Sequence, residues 1–312
     1  MCTYNGARFL DEQLASIVAQ TRLPDELVIC DDCSTDKTRA LLTTFAATSP
    51  IKIKLKINQV RLGSTRNFQQ AIRLCEGDII ALCDQDDVWL PGKLALTEGV
   101  FTTTAADLVF TDGELVDESG QSLNYRLWEA YRVDADKLRS DTAYELLDRR
   151  EAITGTTMAF RSCYKELVLP IPENIPLIHD GWISLLIAHV GNLYPINEPL
   201  IKYRQHSAQQ LGAPTKNLDH RSGLVESARR ETDFDQELRR MEAAQQRLTE
   251  FAEDFAVVGL ENMEAILKHF RVRKAVSQRK FSHLPEMFSE LIGGRYHRYS
   301  NGFSSFVKDL VK

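Results

Sequence analysis

The spacing of apolar residues in the first half of the chain alternates between the helical and the strand period. A first helix is predicted by apolar residues on one stripe: Phe9, Leu10, Leu14, Ile17 and Val18. Residues 27–30 form a short apolar run typical of a buried strand, and strict alternation over 51–57 predicts a half-exposed strand. The lysines of this second strand would guard it against edge pairing.

The same alternation continues along the chain. Helices are predicted over 38–45 and around 68–75, strands over 79–83, 107–111 and 156–160, and a further helix over 179–189. Strands separated by helices predict an α/β fold with a largely parallel sheet that is covered on both faces. The clear alternation ends near residue 144.

The segment 224–255 has a different pattern, because it is highly charged and carries one apolar stripe. The stripe residues fall at heptad spacing: Phe234, Leu238, Met241, Leu248, Ala252 and Phe255. This predicts a long helix that packs either on a partner, as in a homodimer through 224–255, or on its own domain. We therefore predict an α/β domain over 1–212 and a helical C-terminal extension over 213–312.

Composition limits the class of protein. The chain has 312 residues, of which 43% are hydrophobic, which suits one large or two modest globular domains. The net charge is -6, yet residues 264–312 carry ten Lys and Arg against four Asp and Glu. This asymmetry argues against a general nucleic-acid partner and suggests a local role for the tail. Six scattered cysteines without a secretory signal predict a cytoplasmic protein with reduced thiols.

An acidic cluster follows the apolar strand at 79–83. Asp84, Asp86 and Asp87 place three carboxylates within four residues, and such a cluster repels itself unless a cation binds there. At the carboxyl end of a strand, this predicts a divalent metal that holds a phosphorylated substrate. The alternative is a solvated acidic loop. Asp87 is also predicted to cap the helix after Pro91, which leaves Asp84 and Asp86 without a role in capping.

The motifs, taken in order, resemble those of the family-2 glycosyltransferases with the GT-A fold, in particular the rhamnosyltransferase-like members. The residues that carry the resemblance are Thr3-Tyr4-Asn5-Gly6, Cys30 to Asp36, Asp84 to Trp89, Gly155 to Met158, His179 to Trp182 and Tyr203 to His206. The resemblance covers roughly residues 1–210 and implies a Rossmann-like, mostly parallel sheet with flanking helices. The helical extension lies outside it.

Two departures from the family pattern stand out. Only Met1 and Cys2 precede the Thr-Tyr-Asn-Gly turn, so either translation starts upstream or the first strand is truncated. Cys33 occupies the position of the family's usual glycine, which raises the question of whether this residue has a positive φ.

The resemblance implies a metal site and a general base. Asp86, helped by Asp84, would hold Mg²⁺ or Mn²⁺ against the diphosphate of the donor. His206, with Arg204, matches a late motif that closes on the metal or the diphosphate, although a lone histidine is often structural. Asp180 matches the general base that activates the acceptor hydroxyl and gives inversion, and a helix N-terminus would favour its ionised form. A plain N-cap is the alternative for Asp180.

The resemblance also implies a nucleotide-sugar pocket. Its predicted residues are Thr3, Tyr4, Asn5, Asp32, Arg66, Asp84 and Gln85. Asp32 would contact the base and Arg66 the base or a phosphate. The structural alternatives are turn formation for Asp32 and a surface charge for Arg66.

The implied reaction moves rhamnose from dTDP-rhamnose, or a hexose from a UDP-hexose, to a glycan or lipid-linked glycan in cell-surface polysaccharide synthesis. A haloacid-dehalogenase-type phosphatase fits Asp84-x-Asp86, and a catalytically inactive scaffold is a third hypothesis. The basic tail at 264–312 interleaves aromatic residues, which predicts contact with an anionic membrane at the inner leaflet. Packing of these aromatics inside the protein is the alternative.

Overall fold

The computed structural model describes residues 1–131, 133, 153–207, 209, 212–214, 233–255, 260–278, 283–300 and 302–311. The chain divides into two compact units. The first unit contains Met1–Ile171 and Ile178–Lys216, and the second contains Pro172–Leu177 and Asn217–Lys312. The predicted boundary between 212 and 213 stays a prediction, because much of 208–232 lies outside the described residues.

The first unit is α/β. Its strands are β1 (Cys2–Thr3), β2 (Glu26–Asp31), β3 (Lys52–Ile57), β4 (Ile79–Ala81), β5 (Val88–Trp89), β6 (Leu108–Val116), β7 (Ser122–Arg126), β8 (Met158–Arg161) and β9 (Leu193–Arg204). Its helices are α1 (Leu10–Val18), α2 (Thr38–Thr48), α3 (Ser64–Leu74), α4 (Lys93–Thr103), α5 (Leu127–Ala130), α6 (Lys165–Val168) and α7 (His179–Val190).

The first sheet has the order β1-β2-β3 within the described residues, and both of its ladders are parallel, as predicted. The stripe of α1 packs on it, with Leu10 and Ile17 fully buried against Ile29 of β2. At the other side of β2, the strand β3 is half-exposed, and Lys54 forms a 2.6 Å ion pair with Glu26. These contacts confirm the amphipathic pattern of this region.

The second sheet has the order β4-β8-β6-β9-β5, with β7 also on β6, among the described residues. Only the β6–β9 ladder is parallel there; the other four are antiparallel. The largely parallel pairing predicted from the alternation thus holds for the first sheet and not for the second. One reason is local: β7 follows β6 through a short turn at 117–121, and so short a connection joins only antiparallel strands.

The second unit is helical. Its described helices are α8 (Phe234–Glu250), α9 (Leu260–Gln278), α10 (Leu284–Ile292), α11 (Arg295–Tyr299) and α12 (Phe303–Val311). The predicted long helix therefore begins at Phe234, where Asp233 caps it, while 224–232 lie outside the described residues. Its stripe residues Leu238, Met241 and Leu248 are buried within the chain. In the described part, this removes the exposed surface on which the homodimer hypothesis rested.

A buried polar network ties the helices of the second unit together. The Arg273 guanidinium donates to both carboxylate oxygens of Asp309 at 2.6 and 3.2 Å, and Tyr296 donates to the same carboxylate at 2.8 Å. The His269 ring contacts Glu290 at 3.0 Å through Nδ1 and Ser300 at 3.0 Å through Nε2. Burial lowers the pKa of His269 to about 4, so the ring is neutral at pH 7.

None of the helices in the described ranges has both the length and the apolar character needed to cross a bilayer.

Candidate active site

Acidic side chains gather where β4 ends. The loop after β4 carries Asp84, Asp86 and Asp87, and Asp180 belongs to the first turn of α7. Burial, followed by the charges of Asp86, Asp87 and Asp180, raises the pKa of Asp84 well above its usual range. The influence of Asp180 means that the two acidic motifs, almost a hundred residues apart in sequence, face one site.

The end of β9 brings a histidine to this loop. Because β5 pairs with β9, with Val88 opposite Lys202, the residues that follow β9 lie beside the acidic residues that precede β5. The His206 Nε2 atom is 2.9 Å from Asp86 Oδ2, and the His206 ring packs on Phe9 at a centroid distance of 4.8 Å. The two predicted metal ligands are thus in direct contact.

Arg204 has a different environment from the one predicted. Its side chain is buried, Nε donates to the Asp86 carbonyl at 2.8 Å, and Nη1 donates to the Glu118 carbonyl at 3.0 Å. A third nitrogen, Nη2, pairs with Glu12 at 2.5 Å. These bonds direct the guanidinium into the protein, so Arg204 positions the acidic loop and its predicted reach toward a diphosphate is not seen.

The prediction that Asp87 caps the next helix is wrong. Helix α4 begins at Lys93, its N-cap is Gly92, and no side chain caps it. Asp87 is instead buried, and its Oδ1 accepts a 3.0 Å hydrogen bond from the Arg204 backbone N–H. Burial, followed by the charge of Asp86, raises the pKa of Asp87. Asp87 therefore links the acidic loop to β9, through a hydrogen bond with a residue 117 positions away in the sequence.

The donor set suits a hard divalent cation. Within the described residues, no three His, Cys, Asp or Glu side chains converge closely enough to hold a metal by themselves. Asp86 and His206 are already paired, and the Asp84 carboxyl is near enough for the charge of Asp86 to raise its pKa. Mg²⁺ typically takes one or two protein carboxylates and completes its shell with substrate phosphates and water, and Mn²⁺ also accepts imidazole. The residues present therefore fit Mg²⁺ or Mn²⁺ bound together with a diphosphate.

Gln85 links the acidic loop to the Thr-Tyr-Asn-Gly turn. Its Oε1 accepts from the Tyr4 N–H at 2.9 Å and its Nε2 donates to the Tyr4 carbonyl at 3.1 Å. A Cβ on Gly6 would lie 2.1 Å from Gln85 Oε1, so a larger residue there would displace the Gln85 side chain from these two hydrogen bonds. Asn5, with φ 48°, accepts from the Thr35 N–H at 2.8 Å. Tyr4 and Asn5 thus lie at the site, held from two sides.

Two of the predicted nucleotide contacts are engaged in internal hydrogen bonds. Thr3 is buried, and its hydroxyl donates to Asp31 at 2.9 Å. Asp32 is 3% exposed, and its carboxylate accepts from the N–H groups of Leu62 and Gly63 at 2.7 and 2.8 Å. Asp32 therefore anchors the loop before α3, 30 residues away in the sequence, and these hydrogen bonds are not those of the local turn that the alternative proposed. Its contact with a base stays a prediction.

The residue after Asp32 answers a question raised by the sequence. Cys33 has φ 64°, so this position is indeed in the left-handed region that the family's glycine would favour. Its thiol contacts the Asn58 carbonyl at 3.2 Å, and it is a free cysteine, as is Cys30.

Basic side chains lie on the loop and helix that Asp32 anchors. Arg66 is exposed on the first turn of α3. The Arg61 guanidinium lies over the Tyr4 ring at 4.0 Å from its centroid, a cation–π contact that sequence reasoning missed. The pair offers a flat surface and positive charge beside the site, which suits a nucleotide.

Asp180 is held from both sides at the start of α7. Its Oδ2 accepts from the Gly155 N–H at 2.8 Å and its Oδ1 from the Gly181 N–H at 2.6 Å. The N-cap of α7 is Ile178, so the alternative of Asp180 as a plain N-cap is wrong. The neighbouring His179 is buried and stacks on Phe68 at a centroid distance of 3.9 Å, and burial lowers its pKa. A neutral ring and a fixed carboxylate therefore stand side by side.

Sequence reasoning also missed two buried amides that support the site. Gln13 of α1 donates to the Asp84 carbonyl at 3.1 Å and to the Cys83 thiol at 2.9 Å. Asn58 donates to Asp32 at 3.0 Å. The sequence contained an indication for Gln13. A polar residue three positions after Leu10 lies on the apolar stripe of α1, and a buried polar side chain requires a hydrogen-bond partner.

Comparison with known proteins supports the motif reading. Residues 1–166 match the family model for Glycosyl transferase family 2, so the chain belongs to this family, as predicted. An uncharacterized glycosyltransferase of Nostoc sp. is 32% identical over 209 residues, 66% of this chain and 63% of the relative. The chain thus spans under two thirds of the length of this relative.

Two further relatives have descriptive names. A Shigella flexneri dTDP-rhamnosyl transferase is 29% identical over 231 residues, 68% of this chain and 74% of the relative. An Escherichia coli UDP-Glc:alpha-D-GlcNAc-diphosphoundecaprenol beta-1,3-glucosyltransferase is 28% identical over 208 residues, 65% of this chain and 75% of the relative.

A solved structure has the same fold. Residues 1–349 of Staphylococcus aureus TarS, in complex with UDP-GlcNAc, align with a TM-score of 0.58 at 15% identity, over 99% of this chain and 80% of that one. The likeness confirms the predicted α/β fold of the GT-A class with C-terminal helices.

Proposed function

We propose that the protein is an inverting, metal-dependent glycosyltransferase that uses a nucleotide sugar. The observation that carries this proposal is the contact of Asp86 with His206, beside Asp84 and within the electrostatic reach of Asp180. Such a site has the two parts that glycosyl transfer requires: a cation-binding part for the diphosphate that leaves, and a carboxylate for the hydroxyl that attacks.

Asp86 and His206 would hold the metal, and Asp84 would add negative charge around it. A bound Mg²⁺ or Mn²⁺ supplies charge neutralisation for the diphosphate leaving group. Arg204 and Gln85 keep these ligands in place, since Arg204 holds the Asp86 backbone and Gln85 ties the loop to Tyr4. On the metal side of the site, the protein therefore contributes acidic ligands whose positions are held by neighbouring hydrogen bonds.

Asp180 is proposed to accept the proton of the acceptor hydroxyl. Its two oxygens are oriented by the Gly155 and Gly181 N–H groups. Each oxygen keeps a second lone pair to receive a hydrogen bond from an acceptor. Attack from the Asp180 side, opposite the leaving diphosphate, inverts the anomeric carbon.

The donor is proposed to bind at the turn around Tyr4 and Asn5, with Asp32 behind the loop and Arg66 at the rim. We propose dTDP-rhamnose as the donor, with a UDP-hexose as the second candidate; the names of the Shigella and Escherichia coli relatives support this pair. The latter name also supports a lipid-linked glycan as acceptor. A cytoplasmic site of action in cell-surface polysaccharide synthesis belongs to the same proposal.

The phosphatase hypothesis and the inactive-scaffold hypothesis fit these observations less well. Family membership argues against the haloacid-dehalogenase-type phosphatase, and Asp84 follows the fourth strand of the described chain, where that signature belongs on the first. The inactive scaffold would have no need for the paired Asp86 and His206 or for a doubly oriented Asp180.

The test is a donor panel. The protein would be titrated with dTDP, UDP and GDP sugars in a calorimeter, with Mn²⁺ and with chelator, and release of nucleoside diphosphate would be followed. The proposal expects metal-dependent binding of a dTDP or UDP sugar. Asp25→Asn changes an exposed carboxylate outside the site and is a control that should behave as the parent protein. Equal, metal-independent binding of all donors would refute the proposal.

A further inference from the structure

The second unit has an apolar face that its own fold leaves uncovered. Within the described residues, five of the eleven large hydrophobic side chains that are exposed lie on α10 and α12: Phe288, Ile292, Phe303, Val307 and Leu310. Ile292 is 85% exposed and Phe303 is 60% exposed. Scattered apolar residues are normal on a protein surface, but a cluster of this kind marks an interaction site. We call these five residues the α10/α12 face.

The face is continuous across the two helices. Phe288 of α10 and Phe303 of α12 both contact the buried Phe306, at centroid distances of 5.4 and 5.8 Å. Ile292 follows Phe288 by four positions, and Val307 follows Phe303 by four, so each pair lies on one side of its helix. The α10/α12 face is therefore a single patch above the buried Phe306.

This arrangement corrects the prediction made for the tail aromatics. Phe270, Tyr296, Tyr299 and Phe306 are buried in the second unit, so the packing alternative holds for these four. Phe281 lies outside the described residues. The exposed apolar surface is formed by two aromatic and three aliphatic residues.

The charges around the face are asymmetric. The acidic groups Glu290 and Asp309 are buried and paired with Arg295 and Arg273. In the described residues 283–300 and 302–311, Glu286 is the one acidic side chain that is exposed. Arg298 is exposed and Lys308 is half-exposed, so basic side chains outnumber acidic ones among the charges that these helices leave accessible. The face thus combines apolar area with a basic surrounding.

We propose that the α10/α12 face docks on an anionic lipid bilayer. Apolar side chains enter the interface while basic residues stay at the level of the headgroups, which is how peripheral helices bind such membranes. A second copy of the chain fits less well, because a twofold interface would bring the basic surroundings of the two copies together. The inference rests on the proposed function in one respect: a lipid-linked acceptor gives the docking its use, by raising the local acceptor concentration.

Vesicle co-sedimentation tests the inference with the full chain. Phosphatidylcholine vesicles with and without phosphatidylglycerol are the probes. The variant Ile292→Glu/Phe303→Glu places charges on the α10/α12 face, and Arg298→Gln removes one exposed cation. Leu96→Glu, at a residue of α4 with 43% exposure, is the matched control outside the face. Circular dichroism and thermal unfolding check that each variant is folded.

We expect the parent chain and Leu96→Glu to bind vesicles only when phosphatidylglycerol is present, and less tightly at physiological than at low salt. The double variant should bind at least about tenfold more weakly for each apolar side chain lost. Arg298→Gln should weaken binding by about fivefold. Retained binding by the double variant, or binding that ignores salt and lipid charge, would overturn the inference.

Two further measurements, of oligomeric state and of glycosyl transfer, distinguish a failure of membrane docking from a failure of the proposed function. A parent chain that sediments as a dimer without lipid, while the double variant is monomeric, would assign the face to self-association and overturn membrane docking. Release of nucleoside diphosphate with a soluble acceptor should be equal in the parent chain and the double variant. Transfer without vesicle binding would therefore reject the docking alone, and vesicle binding without any transfer would reject the proposed function alone.

Discussion

Replacing Asp180 with asparagine separates the chemical role of its carboxylate from its structural role. Asparagine has the same shape, but it keeps one oxygen in place of two. One of the hydrogen bonds from the Gly155 and Gly181 N–H groups, at 2.8 and 2.6 Å, is therefore lost. A lost hydrogen bond at a partly exposed position costs about 1 to 2 kcal/mol of unfolding free energy. The variant should therefore fold.

The effect on catalysis should be much larger. An amide cannot accept a proton from the acceptor hydroxyl, and loss of a general base typically lowers turnover by about 10²- to 10⁴-fold. This range corresponds to about 3 to 5 kcal/mol of activation free energy. The predicted catalytic loss for Asp180→Asn thus exceeds the structural loss, which makes the two effects separable.

The assay follows transfer to an acceptor together with donor affinity. The turnover rate should fall by the stated factor, while the dissociation constant of the donor measured by calorimetry should stay as in the parent protein. Asp107→Asn is the matched control, because its carboxylate also accepts from a backbone N–H, that of Asn192 at 2.8 Å, before the start of β6. This control should lose stability without losing turnover.

Two results would refute the reasoning about Asp180. If donor affinity falls together with turnover, the carboxylate maintains the shape of the pocket and is not the base. If the product retains the anomeric configuration of the donor sugar, as read by NMR, single displacement is excluded. An inverted product with unchanged donor affinity is the outcome expected.

Three further predictions follow from single contacts. Asp86→Ala and His206→Ala should each remove the Mn²⁺ dependence of donor binding and abolish transfer with the fold intact, measured by calorimetry and circular dichroism; full activity in excess chelator would contradict this. Gly6→Ala should destabilise the protein by about 1 to 2 kcal/mol, because its Cβ would meet Gln85 Oε1 at 2.1 Å and displace that side chain from its two hydrogen bonds to Tyr4; in thermal unfolding, Gly6→Ala/Gln85→Ala should be no less stable than Gln85→Ala alone. His269 has a pKa near 4, below its usual 6.5, so the unfolded chain binds more protons between these values and stability is lost as the pH falls through this window. The second unit should lose about 2 kcal/mol between pH 7 and 5, measured by hydrogen exchange in α9, and His269→Gln should flatten that dependence.

Several features of this protein follow from the sequence by itself. The apolar stripe of α1 and the alternation of β3 predicted their elements, because periodicity reports which face of a helix or strand is buried. The acidic residues after β4 predicted a local cluster of carboxylates, since carboxylates this close in sequence are close in any fold. Cys33, in place of a glycine, raised the question of a positive φ, and the structure gives this residue a φ of 64°.

The hydrogen-bond partner of each polar side chain depends on the tertiary structure. The sequence predicted that Asp87 caps the next helix. Asp87 instead accepts a hydrogen bond from the Arg204 N–H, because the β5–β9 ladder brings that group to it. The Thr3 hydroxyl donates to Asp31 because the β1–β2 ladder places these two residues side by side. The β5–β9 ladder likewise brings the Arg204 guanidinium to the Asp86 carbonyl. Such contacts join positions far apart in the chain, so no local pattern reports them.

The tail shows the same division between sequence and structure. Its composition predicted basic and aromatic character, but it is the packing of the helices described in the second unit that buries Tyr296 and Phe306 and leaves Ile292 and Phe303 exposed. Strand direction in the second sheet was decided in the same way, by the pairing of β6 with both β8 and β9. The local sequence determines which residues are able to be buried. Contacts between elements far apart in the chain then determine which of these residues are buried in the folded protein.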